Sequence, residues 1–155
     1  MAWEFSVLVV ANVTAESPEL IAALRERSEA GGCRFTLVMP GTGPDRHERL
    51  EAALEHMRAA GLDNVEGSVG DPDPVVAVMD VWDPMKFDDI VVSTLPTGSS
   101  RWMGLDLPHR LEKLTSVPVR HVVSKPPRPE LHTESVPEKP RYGPLGAFAA
   151  VITRR

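Results

Sequence analysis

The stretch DDIVVSTLPTGSSRWMGLD, residues 88–106, decides how the rest of the sequence is interpreted. An apolar run, Ile90 to Val92, leads into a loop of small and hydroxyl-bearing residues, and a new helical pattern follows. In an open α/β sheet ligands bind where a parallel strand ends, because the next helix begins there with unpaired N–H groups and a positive dipole end. We therefore predict either an anion-binding loop after this strand or a polar surface loop in which Arg101 pairs with a nearby acid. Its candidate residues are Thr97, Gly98, Ser99, Ser100 and Arg101.

The charge balance and the cysteine count exclude several classes of protein. The formal net charge of -5 argues against nucleic acid as a partner, since phosphate binding needs clustered Lys and Arg. Cys33 is the only cysteine, so no intramolecular disulfide can form. The apolar run near the N-terminus is too short to span a bilayer. We expect a cytoplasmic protein that binds neither nucleic acid nor membrane.

Short apolar runs alternate with helical patterns along the first four fifths of the chain. The predicted strands are residues 5–11, 33–39, 65–69, 90–93 and 117–123. Apolar residues at helical spacing lie between successive strands, and Ser17 before Pro18 is a typical helix start. This β-α alternation predicts a single three-layer α/β/α, Rossmann-like domain with a five-stranded parallel sheet.

Two helix starts after the third and fourth strands carry aspartates. We expect Asp71 or Asp73 to cap a helix over residues 75–82. Asp106 is predicted to cap the last helix of the domain. Leucines 107, 111 and 114 are expected to share one side of that helix.

The fifth strand and the segment after it predict contacts outside the domain. Arg120 and His121 interrupt the apolar strand, which predicts an edge strand that is wet on one side or covered by another subunit. Residues 1–123 are expected to form the α/β domain, and residues 124–155 a Pro-rich C-terminal arm. The apolar end of the arm, residues 145–152, should dock on its own domain or on a partner chain.

Further candidate ligand-binding residues follow the other strands. Asn12 and Thr14 come after the first strand and should face the same crevice, unless they serve a turn and a helix cap. Nucleotide binding would require a crevice between Asn12, Met39 and Ser99. Asp71 could approach a ribose hydroxyl, with helix capping as the favoured alternative. Trp102 and Met103 could stack on a base, with an apolar lid on the sheet end as their favoured alternative.

Two local motifs support a family resemblance. The segment VGDP at residues 69–72 matches a turn after the third strand, and VPV at residues 117–119 matches the start of the closing strand. In these features and in element order, the sequence resembles the universal stress protein family over residues 5–123. The resemblance implies a HUP-type, adenine-nucleotide-binding α/β fold and a homodimer formed through the fifth strand. The nucleotide that this resemblance implies is ATP or AMP.

The sequence departs from the ATP motif of that family. Members that bind ATP have two glycines separated by two residues after the fourth strand, then a Gly-Ser or Gly-Thr pair nine residues later. Here Gly98 stands alone, Leu105 and Asp106 replace the later pair, and Asn12 follows Ala11 where an acidic residue is usual. An aspartate cap would occupy the N–H donors that bind phosphate. We therefore expect no strong ATP binding, and no cofactor is assigned with certainty.

Three function classes remain open. The leading hypothesis is a non-catalytic, homodimeric stress or regulatory protein of the universal stress protein type. The first alternative is an adenine-nucleotide-binding protein that uses the loop after the fourth strand. The second is an interaction module that dimerises through residues 117–123, the arm, or both. An enzyme has the least support, because the sequence offers no nucleophile–base pair, Walker-type loop or histidine cluster with metal-ligand spacing.

Overall fold

Five apolar runs of the sequence form one parallel sheet. The computed structural model describes residues 4–96, 102 and 106–124, and the structural statements that follow concern these residues. The strands are β1 (Phe5–Val10), β2 (Cys33–Pro40), β3 (Val65–Gly70), β4 (Asp89–Thr94) and β5 (Val119–Val123). Their order is β3-β2-β1-β4-β5, and every neighbouring pair is parallel. The predicted five-stranded parallel sheet is confirmed.

Four helices cover the two faces of this sheet within the described part of the chain. They are α1 (Pro18–Glu29), α2 (Arg46–Ala59), α3 (Pro74–Val81) and α4 (Leu107–Thr115). Side chains of α1 and α2 pack in one buried cluster, and side chains of α3 and α4 pack in a second. The three-layer architecture is therefore confirmed. Of the predicted arm, residues 125–155 lie outside the described residues.

The central strand β1 shows how the sequence builds both layers. Val7 and Val9 belong to the cluster beneath α1 and α2, whereas Leu8 and Val10 belong to the cluster beneath α3 and α4. All four side chains are fully buried. Because successive side chains of a strand point to opposite faces, a continuous apolar run is what a strand covered on both faces requires.

The helix starts confirm two of the predicted caps and correct the third. Ser17 caps α1 by accepting a hydrogen bond from the Leu20 N–H at 3.1 Å. Asp73, not Asp71, caps α3, and the Asp71 carboxylate instead accepts from the Asp73 N–H. Asp106 occupies the N-cap position of α4 with φ +52° and makes no capping hydrogen bond through its side chain. The prediction that its carboxylate occupies the helix donors is wrong, because this left-handed backbone does not give the extended cap geometry.

The apolar side of α4 also differs from the prediction. Leu107 and Leu111 are fully buried, but Leu114 is 52% exposed. Thr115 takes the next inward position, and its hydroxyl donates to the Leu111 carbonyl at 2.7 Å. The buried stripe therefore follows the i, i+4 spacing of one helical row, and Leu114 lies just outside it.

An ion pair closes the sheet at the end where β4 begins. The Arg27 guanidinium, in the last turn of α1, pairs with the Asp89 carboxylate and lies 4.8 Å above the centre of the Phe5 ring. Burial raises the pKa of the Asp89 carboxyl, and the nearby Arg27 charge lowers it to a lesser extent. The pair is far along the strands from the carboxyl ends where α/β proteins bind ligands.

Candidate functional site

A cleft of about 620 Å³ opens at the carboxyl ends of β1, β2 and β4. The strands β1 and β4 are neighbours, and the chain continues from β1 to β2 on one side and from β4 to β5 on the other, so the connections after these two strands run in opposite directions. Such a switch point is the usual ligand site of an open α/β sheet. Among the described residues, the polar side chains that line the cleft are those of Asn12, Thr14, Thr42, Arg49, Asp73, Ser93 and Thr94.

Both candidate residues that follow β1 line the cleft. Asn12 and Thr14 both lie in its wall, directly after β1. Met39 does not line the cleft, because its side chain is 2% exposed and belongs to the core beneath α1 and α2. The next two residues of the chain, Pro40 and Gly41, provide this part of the wall instead.

The aspartates predicted from the sequence lie outside the lining of the cleft. Asp71 is exposed, and its neighbours Pro72 and Asp73 line the cleft in its place. Asp106 is exposed at the start of α4. The predicted anion-binding loop, residues 97–101, lies outside the described residues, and so does Met103. Trp102 is described, and it lines the cleft while it packs against the core beneath α3 and α4.

Arg49 and Asn12 form a polar wall between β1 and α2. The Asn12 amide donates to the Pro40 carbonyl at 2.6 Å, and the Arg49 guanidinium donates to the Asn12 side-chain oxygen at 2.8 Å. Both ends of the Asn12 amide are therefore engaged. Among the described lining residues, Arg49 is the only cation, so it supplies the positive charge of this wall.

Buried hydroxyls form the opposite wall. The Thr14 and Ser93 hydroxyl oxygens lie 2.7 Å apart, and both side chains are at most 2% exposed. Ser93 also lies 3.1 Å from the Ser124 hydroxyl, which accepts a hydrogen bond from Ser17 at 2.7 Å. This hydroxyl chain joins the ends of β1, β4 and β5 to the N-terminus of α1.

Thr94 connects the cleft to the edge strand β5. Its hydroxyl lies 2.6 Å from the His121 Nε2, and its carbonyl accepts from the Ser124 N–H at 2.8 Å. Burial lowers the pKa of the His121 imidazole. A neutral ring is therefore favoured, and it can either donate to Thr94 or accept from it.

A carboxylate occupies the helix terminus nearest the cleft. Asp73 accepts hydrogen bonds from the Val75 and Val76 N–H groups at the start of α3, at 2.9 and 3.5 Å. These donors would otherwise be available to a phosphate. Asp73 also brings a negative charge to the wall, where it is the only described carboxylate.

Several of these residues were missed in the sequence, although some signals were present. Arg49 lies four residues before the buried Ala53, so helical spacing places the two on adjoining parts of one face. Ser93 and Thr94 end a predicted strand, which is where polar residues face a ligand. Ser124 gave no local signal, since its partners lie 31 and 107 residues away in sequence.

The described part of the chain offers neither a cluster of metal ligands nor a membrane-spanning helix. Residues 4–96, 102 and 106–124 contain no group of three or more His, Cys, Asp or Glu side chains arranged to hold a metal ion. Within the same residues, no helix combines the length and the apolar character needed to cross a membrane.

Solved structures share this architecture. The crystal structure of a universal stress protein in complex with cAMP matches with a TM-score of 0.58 and 21% identity, covering 81% of this chain and all of the other. The chain has a universal stress protein fold. The universal stress protein from Archaeoglobus fulgidus in complex with dAMP matches with a TM-score of 0.51 and 18% identity, covering 79% of this chain and 99% of the other. No protein-family model matches the sequence, and no curated protein does.

Proposed function

We propose that this chain is a non-catalytic, cytoplasmic protein of the universal stress protein type whose cleft binds an AMP-type nucleotide. The observation that carries the proposal is the cleft itself, with a cation and hydroxyls in its wall at the switch point of the sheet. Its volume of about 620 Å³ lies within the range of small-molecule sites. Two proteins of the same fold were crystallised with cAMP and with dAMP, which supports this class of ligand.

The apolar part of the wall suits a nucleobase, and the polar part suits one phosphate. Val13, Pro40, Leu95 and Trp102 give the cleft an apolar surface against which a base can pack. The Arg49 guanidinium has several N–H groups, so it can bind a phosphate oxygen while it keeps its hydrogen bond to Asn12.

The charges of the wall favour a monophosphate over a triphosphate. Asp73 occupies donors at the start of α3 and adds a negative charge to the cleft. A single described cation then has to offset both this carboxylate and the ligand. We therefore expect AMP to bind more tightly than ATP with magnesium.

Isothermal titration calorimetry of the full chain with AMP, cAMP and ATP tests this function. We expect Arg49→Met to weaken AMP binding about 10- to 100-fold, the usual effect of losing one charged hydrogen bond. Arg46→Met is the matched control, because Arg46 lies on the same helix but does not line the cleft. No heat with any nucleotide would contradict the proposal, and so would equal effects of the two variants.

We also propose that the chain forms a homodimer through β5, the arm, or both. β5 is an edge of the sheet, and Val123 is 48% exposed on it. The Ser124 N–H donates to β4, so the alternation of a parallel strand turns the Val123 N–H outward, where a second chain could accept it.

Sedimentation velocity separates the two routes to a dimer. Val123→Pro removes an outward N–H, and we expect it to yield monomers if β5 pairs with a second chain. Deletion of residues 126–155 should yield monomers if the arm forms the contact. A thermal melt of each variant confirms folding. A wild-type chain that sediments as a monomer would contradict the proposal.

A further inference from the structure

Four buried hydroxyls form a continuous chain from the N-terminus of α1 to the cleft. In order they belong to Ser17, Ser124, Ser93 and Thr14, with oxygen separations of 2.7, 3.1 and 2.7 Å. Each of these side chains is at most 8% exposed. Two members, Ser93 and Thr14, line the cleft, whereas Ser17 and Ser124 do not.

The start of α1 fixes the direction of this chain. The Ser17 oxygen accepts the Leu20 N–H, and the Ser17 hydroxyl hydrogen points to Ser124. In the reverse direction Ser17 would accept from both Leu20 and Ser124, and its own hydrogen would be buried without an acceptor. A buried donor left unpaired is costly. The Ser17 and Ser124 hydroxyl hydrogens therefore point away from α1 and towards Ser93 at the cleft.

One hydrogen remains at the cleft end. Each hydroxyl carries one hydrogen, and the three contacts within the chain use one hydrogen each. Since Ser17 and Ser124 spend theirs inside the chain, the remaining hydrogen belongs to Ser93 or Thr14. Among the described residues, neither hydroxyl has a further hydrogen-bond partner. Both line the cleft, so the remaining hydrogen is available to a ligand there.

We propose that this hydroxyl chain delivers one O–H donor to the cleft and that it binds a phosphate oxygen of the nucleotide. An anionic oxygen is favoured over a neutral acceptor because Thr14 comes three residues before the N-cap of α1, at the end where the helix dipole is positive. Hydrogen bonds in series also polarise one another, which strengthens the last donor. Thr14 and Ser93 are then ligand-binding residues, and Ser124 is a positioning residue. This inference rests on the proposed function.

Calorimetry with AMP and adenosine tests the inference. We expect Thr14→Val and Ser93→Ala each to weaken AMP binding about tenfold or more, and to leave adenosine binding unchanged. Ser124→Ala should weaken AMP binding by a smaller factor, about threefold, because Ser124 acts only through the row of hydroxyls. Ser124→Thr, which keeps a hydroxyl, should restore the AMP affinity of the wild type.

Thr115→Val is the matched control, because it removes a buried hydroxyl that bonds only within its own helix. It should leave the affinity for AMP unchanged, and urea unfolding confirms that each variant is folded. Equal losses for AMP and adenosine would overturn the assignment to phosphate, and unchanged AMP binding in Thr14→Val and Ser93→Ala would overturn the donor itself. In both cases wild-type AMP binding would persist, whereas its absence would refute the proposed function.

Discussion

Gly70 is the last residue of β3, and the absence of a side chain there lets α3 approach the sheet. A Cβ atom at this position would lie 2.6 Å from the Ala77 Cβ and 3.3 Å from the Val38 Cγ1. We predict that Gly70→Ala lowers the free energy of unfolding by about 1–3 kcal/mol, because the helix must move away. A Cβ atom at Gly31 would meet nothing within 4 Å, so Gly31→Ala should change the free energy of unfolding by less than about 0.5 kcal/mol. Equal urea midpoints for the two variants would contradict this packing.

His121 should make stability depend on pH. Burial lowers the pKa of its imidazole below the ordinary value of 6.5, so the unfolded chain binds the proton more readily. The free energy of unfolding should therefore fall as the pH drops below about 6.5. The raised pKa of Asp89 acts in the opposite sense, since its cost grows as the pH rises through the ordinary carboxyl range near 3.8.

Urea unfolding of the wild type and His121→Asn at several pH values between about 7.5 and 5.5 measures this dependence. The wild type should lose more stability over this range than the variant does. If the two curves run parallel, the His121 ring does not titrate differently in the folded and unfolded chains.

At the scale of single residues, only part of the site could be predicted from the sequence. Asn12 and Thr14 could be placed in the crevice because polar residues directly after a parallel strand meet at one edge of the sheet. The contact between Ser17 and Ser124 could not, because their separation of 107 residues carries no periodicity. The burial of Met39 could not be predicted either, because it depends on which face the end of β2 turns towards the core.

At the scale of elements, α3 begins at the cleft with Asp73 as its cap. Asp73→Asn keeps a good capping side chain and removes the negative charge from the cleft wall. We predict that this variant binds ATP more tightly, narrowing the preference for AMP by several-fold, with little change in stability. Calorimetry with both nucleotides measures the ratio. Asp71→Asn, which lies outside the cleft lining, is the control and should leave the ratio unchanged.

Strands were predicted more accurately than helix details. A continuous apolar run such as β1 has one stable placement, between two helical layers, so its residues could be identified from the sequence. The absence of a side-chain cap at the start of α4 could not be predicted. An aspartate at this position indicates a cap, but the backbone of Asp106 is left-handed, which the sequence does not reveal. The exposure of Leu114 could not be predicted either, because tertiary packing decides whether a residue at the border of the apolar face of a short helix is buried.

For the whole molecule, the β-α alternation was sufficient to predict a five-stranded parallel sheet, and the polar residues of β5 predicted its edge position. The same topology creates the cleft, because the connections after the neighbouring strands β1 and β4 run in opposite directions. We propose that this cleft binds an AMP-type nucleotide.

A titration of the ¹⁵N-labelled full chain with AMP, followed by amide chemical shifts, tests this claim most directly. We predict saturable shifts at Val13, Thr14, Gly41 and Leu95, which are in or next to the polar walls. Gly31 and Gly61, which end their helices away from the cleft, should not shift. Shifts confined to positions outside the cleft, or no shifts at millimolar AMP, would contradict the claim.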